Sequence, residues 1–241
     1  MKKICMWSGP RNVSTAMMYS FAQRKDTVVI DEPLYGHYLK VTGAQHPGRE
    51  EILREISSNG DEIMKSIMNR DYKKYEIVFM KQMSHHLIEI NKDFVFKTEN
   101  IFLIRNPKDV ISSLVNQIPN ARLRDTGLDL QWDLFEEIRS KSKKPIVIDS
   151  KRLLLNPRKV LSQLCERLEI PFLKNMLSWD KGPINEDGIW AKYWYQRVHQ
   201  SNGFIPYKKK KKPDLSDKLL DLLEECQPYY DNLLRYELNS K

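Results

Sequence analysis

The chain has 241 residues and a formal net charge of +8, with 41% hydrophobic and 30% charged residues. This length fits one large domain or two small ones, and the composition is typical of a folded, soluble chain. The apolar runs are too short for a transmembrane helix or a signal peptide. The three cysteines are widely spaced, which argues against a disulfide framework and a zinc site. Together these features favour a cytoplasmic chain.

Short apolar segments alternate along the chain with helical patterns. The apolar segments are rich in Val, Ile and Phe and lack polar alternation, which is typical of strands buried on both faces of a parallel sheet. Strands are predicted at 3–7, 27–31, 76–81, 101–105 and 145–149. Helices are predicted at 14–24, 49–70, 107–118, 129–141 and 157–168. The alternation predicts a three-layer α/β fold, a parallel central sheet with flanking helices and right-handed crossovers.

The last part of the chain differs in composition, although we predict a single domain over 1–241. Segment 173–213 is rich in Pro, Gly, Trp and Lys and is predicted as a loop or lid, and a final helix is predicted over 214–236. The lysine run 208–212 holds much of the charge excess, so it indicates either an anionic partner or a solvated loop. We expect no nucleic-acid partner, because neither a helix-turn-helix pattern nor aromatic–basic interleaving is present.

The first strand runs into "SGPRNVSTAMMYSFAQR", in which Gly9 and Pro10 end the strand and Ser14 and Thr15 open an apolar-periodic helix. A strand, a tight loop and a helix N-terminus form an anion cradle, because unpaired N–H groups and the helix dipole face the ligand. Arg11 adds a full positive charge. The loop does not match the nucleotide-binding pattern G-x-x-x-x-G-K-[ST], since the positions of Gly and Lys are held by Ser14 and Thr15. The segment therefore predicts either an anion site or an ordinary capped helix.

The segment "RNPKDVISS", residues 105–113, resembles the 3′-phosphate motif of sulfotransferases that use 3′-phosphoadenosine 5′-phosphosulfate (PAPS). In that family an arginine ends a strand and a serine eight residues later lies on the next helix, and both bind the 3′-phosphate. The corresponding residues here are Arg105 and Ser113. An arginine presents a bidentate fork to phosphate, and Asp109 in the first helical turn is placed to orient it.

The loop "GPRNVST" resembles the family's 5′-phosphosulfate loop, with Arg11 in place of the usual lysine and Ser14 and Thr15 in place of two threonines. The resemblance covers residues 1–175 and implies the P-loop NTPase-like sulfotransferase fold. The residues that it assigns to the cofactor are Gly9, Arg11, Asn12, Val13, Ser14, Thr15, Arg105 and Ser113. Ser150 stands where many members carry a tyrosine near the adenine, and Trp7 or Trp190 is an alternative stacking partner.

Sulfuryl transfer needs a base for the acceptor, and the resemblance leaves two alternatives. Glu32, in "VIDEPLYGHYL", corresponds to a base glutamate of carbohydrate sulfotransferases. His85 and His86, in "FMKQMSHHLIE", follow the strand where cytosolic members place Lys-x-His. Lys81 is a candidate to stabilise the transferring group, and Tyr35 and His37 are candidates to line the acceptor pocket.

The sequence thus predicts a PAPS-dependent sulfotransferase that acts on a hydroxyl or amine of a small-molecule acceptor, with PAPS as donor and no metal. A kinase on the same fold is a rival, although the first loop lacks its lysine. A non-catalytic nucleotide-binding protein is a second rival, because the base region departs from the family pattern. The acceptor and the oligomeric state are left open by the sequence.

Overall fold

The computed structural model describes residues 1–115, 118–207 and 215–238. Five strands form within these ranges. They are β1 (Lys2–Ser8), β2 (Thr27–Asp31), β3 (Ile77–Met83), β4 (Glu99–Ile104) and β5 (Ile146–Asp149). All seven residues of β3 and all four of β5 are buried, which explains why neither strand alternates polar and apolar side chains.

Twelve helices form within the described ranges, together with three short 3₁₀ turns at 84–86, 95–97 and 174–177. The first six helices are α1 (Ser14–Ala22), α2 (Tyr35–Thr42), α3 (Arg49–Glu55), α4 (Gly60–Asn69), α5 (Pro107–Leu114) and α6 (Leu123–Thr126). The remaining six are α7 (Leu128–Ser140), α8 (Ser150–Leu155), α9 (Pro157–Arg167), α10 (Ala191–Trp194), α11 (Gln196–His199) and α12 (Asp217–Leu234).

The strands form one sheet in the order β2-β3-β1-β4-β5. The β2–β3 pair is parallel, with Asp31 opposite Lys81, and the β4–β5 pair is parallel, with Ile104 opposite Asp149. Helices follow the strands along the chain, as the alternation of patterns predicts. The predicted α/β fold, a parallel sheet with flanking helices, is confirmed.

Contacts within the chain divide it into two compact units. The first unit consists of Met1–Met6, Ser14–Asn100 and Leu173–Phe204. The second unit consists of Trp7–Val13, Ile101–Phe172 and Ile205–Lys241. The single domain over 1–241 stays a prediction, and each unit is described by itself below.

The predicted strands lie within two residues of the observed ones at each end, while the helices differ more. The pattern over 49–70 is two helices, because Asn59 caps α4 by accepting the backbone N–H of Glu62 at 3.3 Å. Segment 173–207 contains α10, α11 and a 3₁₀ turn as well as loops. The final helix begins at Asp217 after Ser216, while residue 214, the predicted start and the other proposed cap, lies outside the described residues.

None of the helices among the described residues is long and apolar enough to cross a membrane. The helices instead contribute buried apolar side chains to the core. In the first unit, Phe21 of α1 stacks on Phe79 of β3 with ring centroids 4.0 Å apart, and both side chains are fully buried. In the second unit, Phe102 of β4 meets the edge of Phe135 of α7 at 5.5 Å.

We expect Phe79→Ala to lower the free energy of unfolding by about 3–5 kcal/mol, because it removes a fully buried ring and leaves a cavity beside Phe21. Urea unfolding followed by circular dichroism measures this loss. Leu155→Ala is the control, since Leu155 is 61% exposed and its truncation should change the stability by well under 1 kcal/mol. Equal effects of the two substitutions contradict the prediction.

Candidate functional site

In the second unit, β1 ends against the turn between α6 and α7, and this contact explains Gly9. A Cβ atom at Gly9 would lie 2.1 Å from the backbone oxygen of Thr126. Gly127, with φ +71°, lies opposite, and a Cβ there would come within 3.3 Å of the Gly9 Cα. The chain therefore needs glycine at position 9 to turn from the strand into the loop.

Arg11 lies at the tip of this loop and has φ +60°, in the left-handed region that a side chain rarely adopts. Its Nε donates a hydrogen bond of 2.8 Å to Ser113 Oγ on α5. Arg105 Nη1 donates to the backbone oxygen of Arg11. The structure thus brings together three of the predicted cofactor residues, two of them guanidinium groups.

Arg105 follows the last residue of β4, as predicted, and α5 begins two residues later. Asn106 caps this helix by accepting the N–H of Lys108 at 3.1 Å, and Pro107 is its first residue. Asp109 Oδ2 lies 4.0 Å from Arg105 Nε, one turn away, which fits the orienting role predicted for it.

Asn12 fastens the loop to the ends of β4 and β5. Its Nδ2 donates to the backbone oxygen of Leu103 at 3.1 Å, and its Oδ1 accepts from Ser150 Oγ at 3.1 Å. Ser150 Oγ also lies 2.7 Å from the oxygen of Ile104. The serine that replaces the family's tyrosine therefore holds the loop, and it is almost fully buried.

Gln131 is a second residue that supports the loop, and no pattern in the sequence indicated it. Its side chain is fully buried on α7, and its Nε2 donates to the oxygens of Trp7 and Leu103 at 3.2 Å each. These carbonyl groups lie near the ends of β1 and β4, directly before the Arg11 loop and Arg105. Gln131 therefore fixes the spacing of the two strand ends.

The helix that follows the loop, α1, begins at Ser14 in the first unit. Ser14 is buried and Thr15 is partly exposed, and Val13 precedes them. The backbone N–H groups of a first helical turn have no partner within the helix, so this end favours an anion. The predicted hydroxyl pair is therefore in the first turn of a helix.

In the first unit, Lys81 is buried between two carboxylates. Its Nζ donates to Asp31 Oδ1 at 3.0 Å, to Tyr195 Oη at 2.7 Å and to Glu32 Oε1. Burial opposes the charge of Lys81, but Asp31 and Glu32 outweigh this effect and raise the pKa of Lys81 above its ordinary value. The lysine therefore stays charged and has all its N–H bonds occupied.

Glu32 follows the last residue of β2 in a strained backbone conformation, with φ +36° before Pro33. Its side chain is 12% exposed, against 1% for Asp31 and 1% for Lys81. Burial and the charge of Asp31 raise the pKa of Glu32, although Lys81 acts in the opposite direction. A carboxyl group with a raised pKa suits exchange of a proton closer to neutral pH.

His85 and His86 lie in an aromatic cluster after β3. The His86 ring stacks between Tyr35, at 5.1 Å, and Tyr38, at 4.7 Å, and it is 1% exposed. Burial lowers the pKa of His85 to about 4, and burial together with His85 lowers that of His86 well below its ordinary value. Both imidazoles are therefore neutral near pH 7.

Tyr35 and His37, the predicted pocket residues, are buried in α2. His37 is held by three backbone groups: Nδ1 pairs with the oxygen of Ser58 and the nitrogen of Gly60 at 3.2 Å each, and Nε2 with the oxygen of Ile88 at 2.8 Å. Such a saturated ring is a structural element of the α2 packing. Tyr35 Oη lies 2.8 Å from His46 Nδ1, so its hydroxyl faces the aromatic cluster.

Two residues of the Lys81 cluster were missed from the sequence. Asp31 was interpreted only as the last residue of the second strand. The two acids in succession at this strand end could have indicated that both belong to the site. Tyr195 lies 114 positions from Lys81, and no local pattern indicates that they meet. The lysine run 208–212, predicted to face the cofactor or the solvent, lies outside the described residues.

Two tryptophans and a metal site remain to be compared with the sequence predictions. Trp7 is fully buried and Trp190 is 4% exposed, so both rings are packed within the protein. Within the part of the chain that the structure describes, no group of three or more His, Cys, Asp or Glu side chains is arranged to hold a metal ion. The assignments of catalytic and cofactor-binding residues stay predictions.

The structure is an α/β fold whose second unit brings two arginines and a serine together and whose first unit buries a lysine between two carboxylates. The sequence profile described as "Sulfotransferase domain" matches residues 1–235. The chain therefore belongs to the sulfotransferase domain family.

The curated relatives of this chain are named as aminotransferase-like proteins, not as sulfotransferases. "Branched-chain-amino-acid aminotransferase-like protein 2" of Arabidopsis thaliana is 37% identical over 244 residues, which cover 100% of this chain and 43% of that protein. The similarly named protein 1 is 40% identical over 232 residues, covering 95% of this chain and 41% of that protein. This chain thus spans less than half the length of these relatives.

Solved structures support the fold. The sulfotransferase domain from the Synechococcus PCC 7002 olefin synthase has a TM-score of 0.54 at 16% identity, covering 93% of this chain and 94% of that one. A sulfotransferase from Alicyclobacillus acidocaldarius has a TM-score of 0.54 at 12% identity, covering 97% and 94%. The sulfotransferase domain from the curacin biosynthetic pathway has a TM-score of 0.51 at 14% identity, covering 94% and 97%. At such identities the likeness shows the fold alone.

The raised pKa of Glu32 has a consequence for stability. Because the folded state binds this proton more tightly than the unfolded state, the contribution of Glu32 to stability is fully present below its ordinary pKa of 4.5. It is lost as the pH rises through the raised pKa. We therefore expect Glu32→Gln to reduce the fall in the free energy of unfolding over this pH window, as measured by urea unfolding at a series of pH values.

The control for this measurement is Glu55→Gln, which changes a glutamate of the same unit that is 54% exposed. It should retain the pH profile of the original chain. A Glu32→Gln profile that also coincides with the original one contradicts the prediction.

Proposed function

We propose that the chain is a sulfotransferase that moves a sulfuryl group from PAPS to a hydroxyl or amine of a small-molecule acceptor. One observation carries the proposal: Arg11, Arg105 and Ser113 meet in the second unit of a chain that belongs to the sulfotransferase domain family. Two guanidinium groups beside a hydroxyl form a donor set for a phosphate dianion. The cytoplasmic location and the lack of a metal or nucleic-acid partner belong to the same proposal.

The residues of the second unit fit the phosphate groups of this cofactor. Gly9 lets the backbone turn closely against Thr126, and the loop leads into the first turn of α1, whose N–H groups favour an anion. We assign Arg105 and Ser113 to the 3′-phosphate. Within this unit we assign Arg11 and the N–H groups of the loop to the 5′-phosphosulfate. Asn12 and Gln131 hold this loop in place.

When bound, the cofactor supplies the sulfuryl group, which passes from the 5′-phosphate to the acceptor oxygen or nitrogen. In the first unit, Glu32 would accept the proton that the acceptor loses on transfer, while the electron pair of the broken sulfur–oxygen bond stays with the 5′-phosphate. In the second unit, Arg11 would supply a fixed positive charge for that phosphate. Lys81 holds the carboxylate of Glu32 in place by a hydrogen bond.

Physical arguments favour Glu32 over the histidines as the base. His86 is sandwiched between two tyrosine rings and is 1% exposed, so an acceptor has no route to it in this packing. Burial lowers the pKa of His85 to about 4, which makes it a weak base at neutral pH. The raised pKa of Glu32 and its partial exposure favour proton transfer to this residue.

We expect adenosine 3′,5′-bisphosphate to bind with micromolar affinity or better and 5′-AMP to bind much more weakly. Arg105→Ala should remove this difference, because each charge-assisted hydrogen bond contributes about 1.5–3 kcal/mol, or roughly ten- to a hundredfold in affinity. Isothermal titration calorimetry measures all three affinities. Arg124→Ala is the control, since that guanidinium is in the same unit and is 71% exposed.

Titration with ATP and Mg²⁺ tests the rival kinase on the same fold. Tight binding of ATP–Mg²⁺ without binding of the bisphosphate overturns the sulfotransferase proposal in favour of that rival. Binding of the bisphosphate and AMP with equal affinity removes the assignment of Arg105 and Ser113 to a 3′-phosphate.

We expect Glu32→Gln to abolish transfer of ³⁵S-labelled sulfuryl groups from PAPS to a panel of alcohols, phenols and amines. The loss should be about 10²–10⁴-fold, the usual contribution of a general base, while the affinity for the bisphosphate is retained. His85→Gln is the matched variant and should retain most of the transfer. The reverse result, a larger loss in the histidine variant, assigns the base to His85.

A further inference from the structure

The two carboxylates beside Lys81 have unequal surroundings. Asp31 accepts hydrogen bonds from Lys81 Nζ, from the backbone N–H of Gly188 at 3.0 Å and from the hydroxyl of Tyr195, which lies 2.8 Å from both of its oxygens. Its side chain is 1% exposed. Donors therefore hold both oxygens of Asp31, and its side chain has almost no contact with solvent.

Glu32 is the open member of the cluster. Its Oε1 contacts Lys81 and lies 3.4 Å from the Tyr195 hydroxyl, whereas its Oε2 accepts no hydrogen bond from the described residues. Tyr35 also responds to Glu32, since burial and then the charge of Glu32 raise the pKa of Tyr35. Of the two carboxylates, Glu32 alone has an oxygen free to meet an acceptor.

Tyr195 contacts both the carboxylate of Asp31 and the ammonium group of Lys81. Its hydroxyl donates to Asp31 and accepts from Lys81 Nζ at 2.7 Å and from Trp190 Nε1 at 3.2 Å. Burial and the charges of Asp31 and Glu32 raise its pKa far above the ordinary value, so the phenol keeps its proton. The residue lies at the end of α10 and is 5% exposed.

We propose that Tyr195 and Asp31 are positioning residues for sulfuryl transfer, which hold the Lys81 ammonium so that it fixes Glu32 for proton exchange with the acceptor. This role rests on the proposed function. Asp31 and Tyr195 take up two of the three N–H bonds of Lys81, and the third N–H bond fixes Glu32 Oε1. The acceptor proton then goes to Glu32.

The test follows the titration of Glu32 directly, by ¹³C NMR of protein labelled at the glutamate carboxyl carbon. The Glu32 signal is assigned by its absence in Glu32→Gln. Asp31→Asn removes a neighbouring negative charge and should lower the pKa of Glu32, while Tyr195→Phe removes the polar hydroxyl 3.4 Å from Glu32 Oε1, which lowers that pKa, and should raise it. Opposite shifts in the two variants support the proposal.

A second measurement separates positioning from folding. Tyr195→Phe should retain the bisphosphate affinity within about twofold, yet reduce sulfuryl transfer by about tenfold or more and displace its pH profile, because the base is no longer held in place. Tyr193→Phe is the matched control: it removes the hydroxyl of a tyrosine two residues earlier, which contacts Glu51 at 3.2 Å, and should change none of these.

Two outcomes overturn the inference. If the chain is active but the Glu32 titration is unmoved in Tyr195→Phe, or if Tyr193→Phe and Tyr195→Phe behave alike, Tyr195 has no positioning role. These results differ from failure of the proposed function, in which the original chain neither binds the bisphosphate nor transfers sulfuryl groups. Tyr195→Phe removes only the buried hydroxyl oxygen. It therefore tests the positioning role of Tyr195 even if Asp31→Asn does not fold.

Discussion

A lysine ammonium buried between two carboxylates is the interaction on which the first unit depends. Lys81 comes from β3, Asp31 and Glu32 from the end of β2, and Tyr195 from the distant segment that contains α10. Removal of one partner from such a cluster leaves an uncompensated buried charge, which costs about 3–5 kcal/mol. The cluster therefore ties segment 173–204 to the sheet and at the same time sets the acidity of Glu32.

The second unit solves a different problem, which is to hold two like charges near each other. Arg11 and Arg105 contact through a backbone oxygen, and Ser113 accepts from Arg11. Asp109 supplies a negative charge near Arg105. Hydrogen bonds from the amide groups of Asn12 and Gln131 fix the shape of the loop. Under the proposed function, this preorganisation reduces the conformational entropy that is lost when an anion binds.

The architecture and much of the second unit could be predicted from the sequence. The strands were indicated by short Val- and Ile-rich runs, and Arg105 and Ser113 by the resemblance of residues 105–113 to a family motif. Gly9 and Arg11 were indicated by the break between strand and helix. These features are local, because each depends on residues within about two turns of one another, and the periodicity of the chain encodes them.

The partners of Lys81 were decided by tertiary structure alone. Register between parallel strands brings Asp31 beside Lys81, and the path of the chain through α10 brings Tyr195 to both, across 114 positions of sequence. The burial that neutralises His85 and His86 also arises from packing against α2. The sequence by itself determined where the carboxylate, imidazole, hydroxyl and guanidinium groups stand along the chain. Tertiary structure decided which of them are charged, which are buried and which can reach an acceptor, because desolvation and neighbouring charges depend on distance in space.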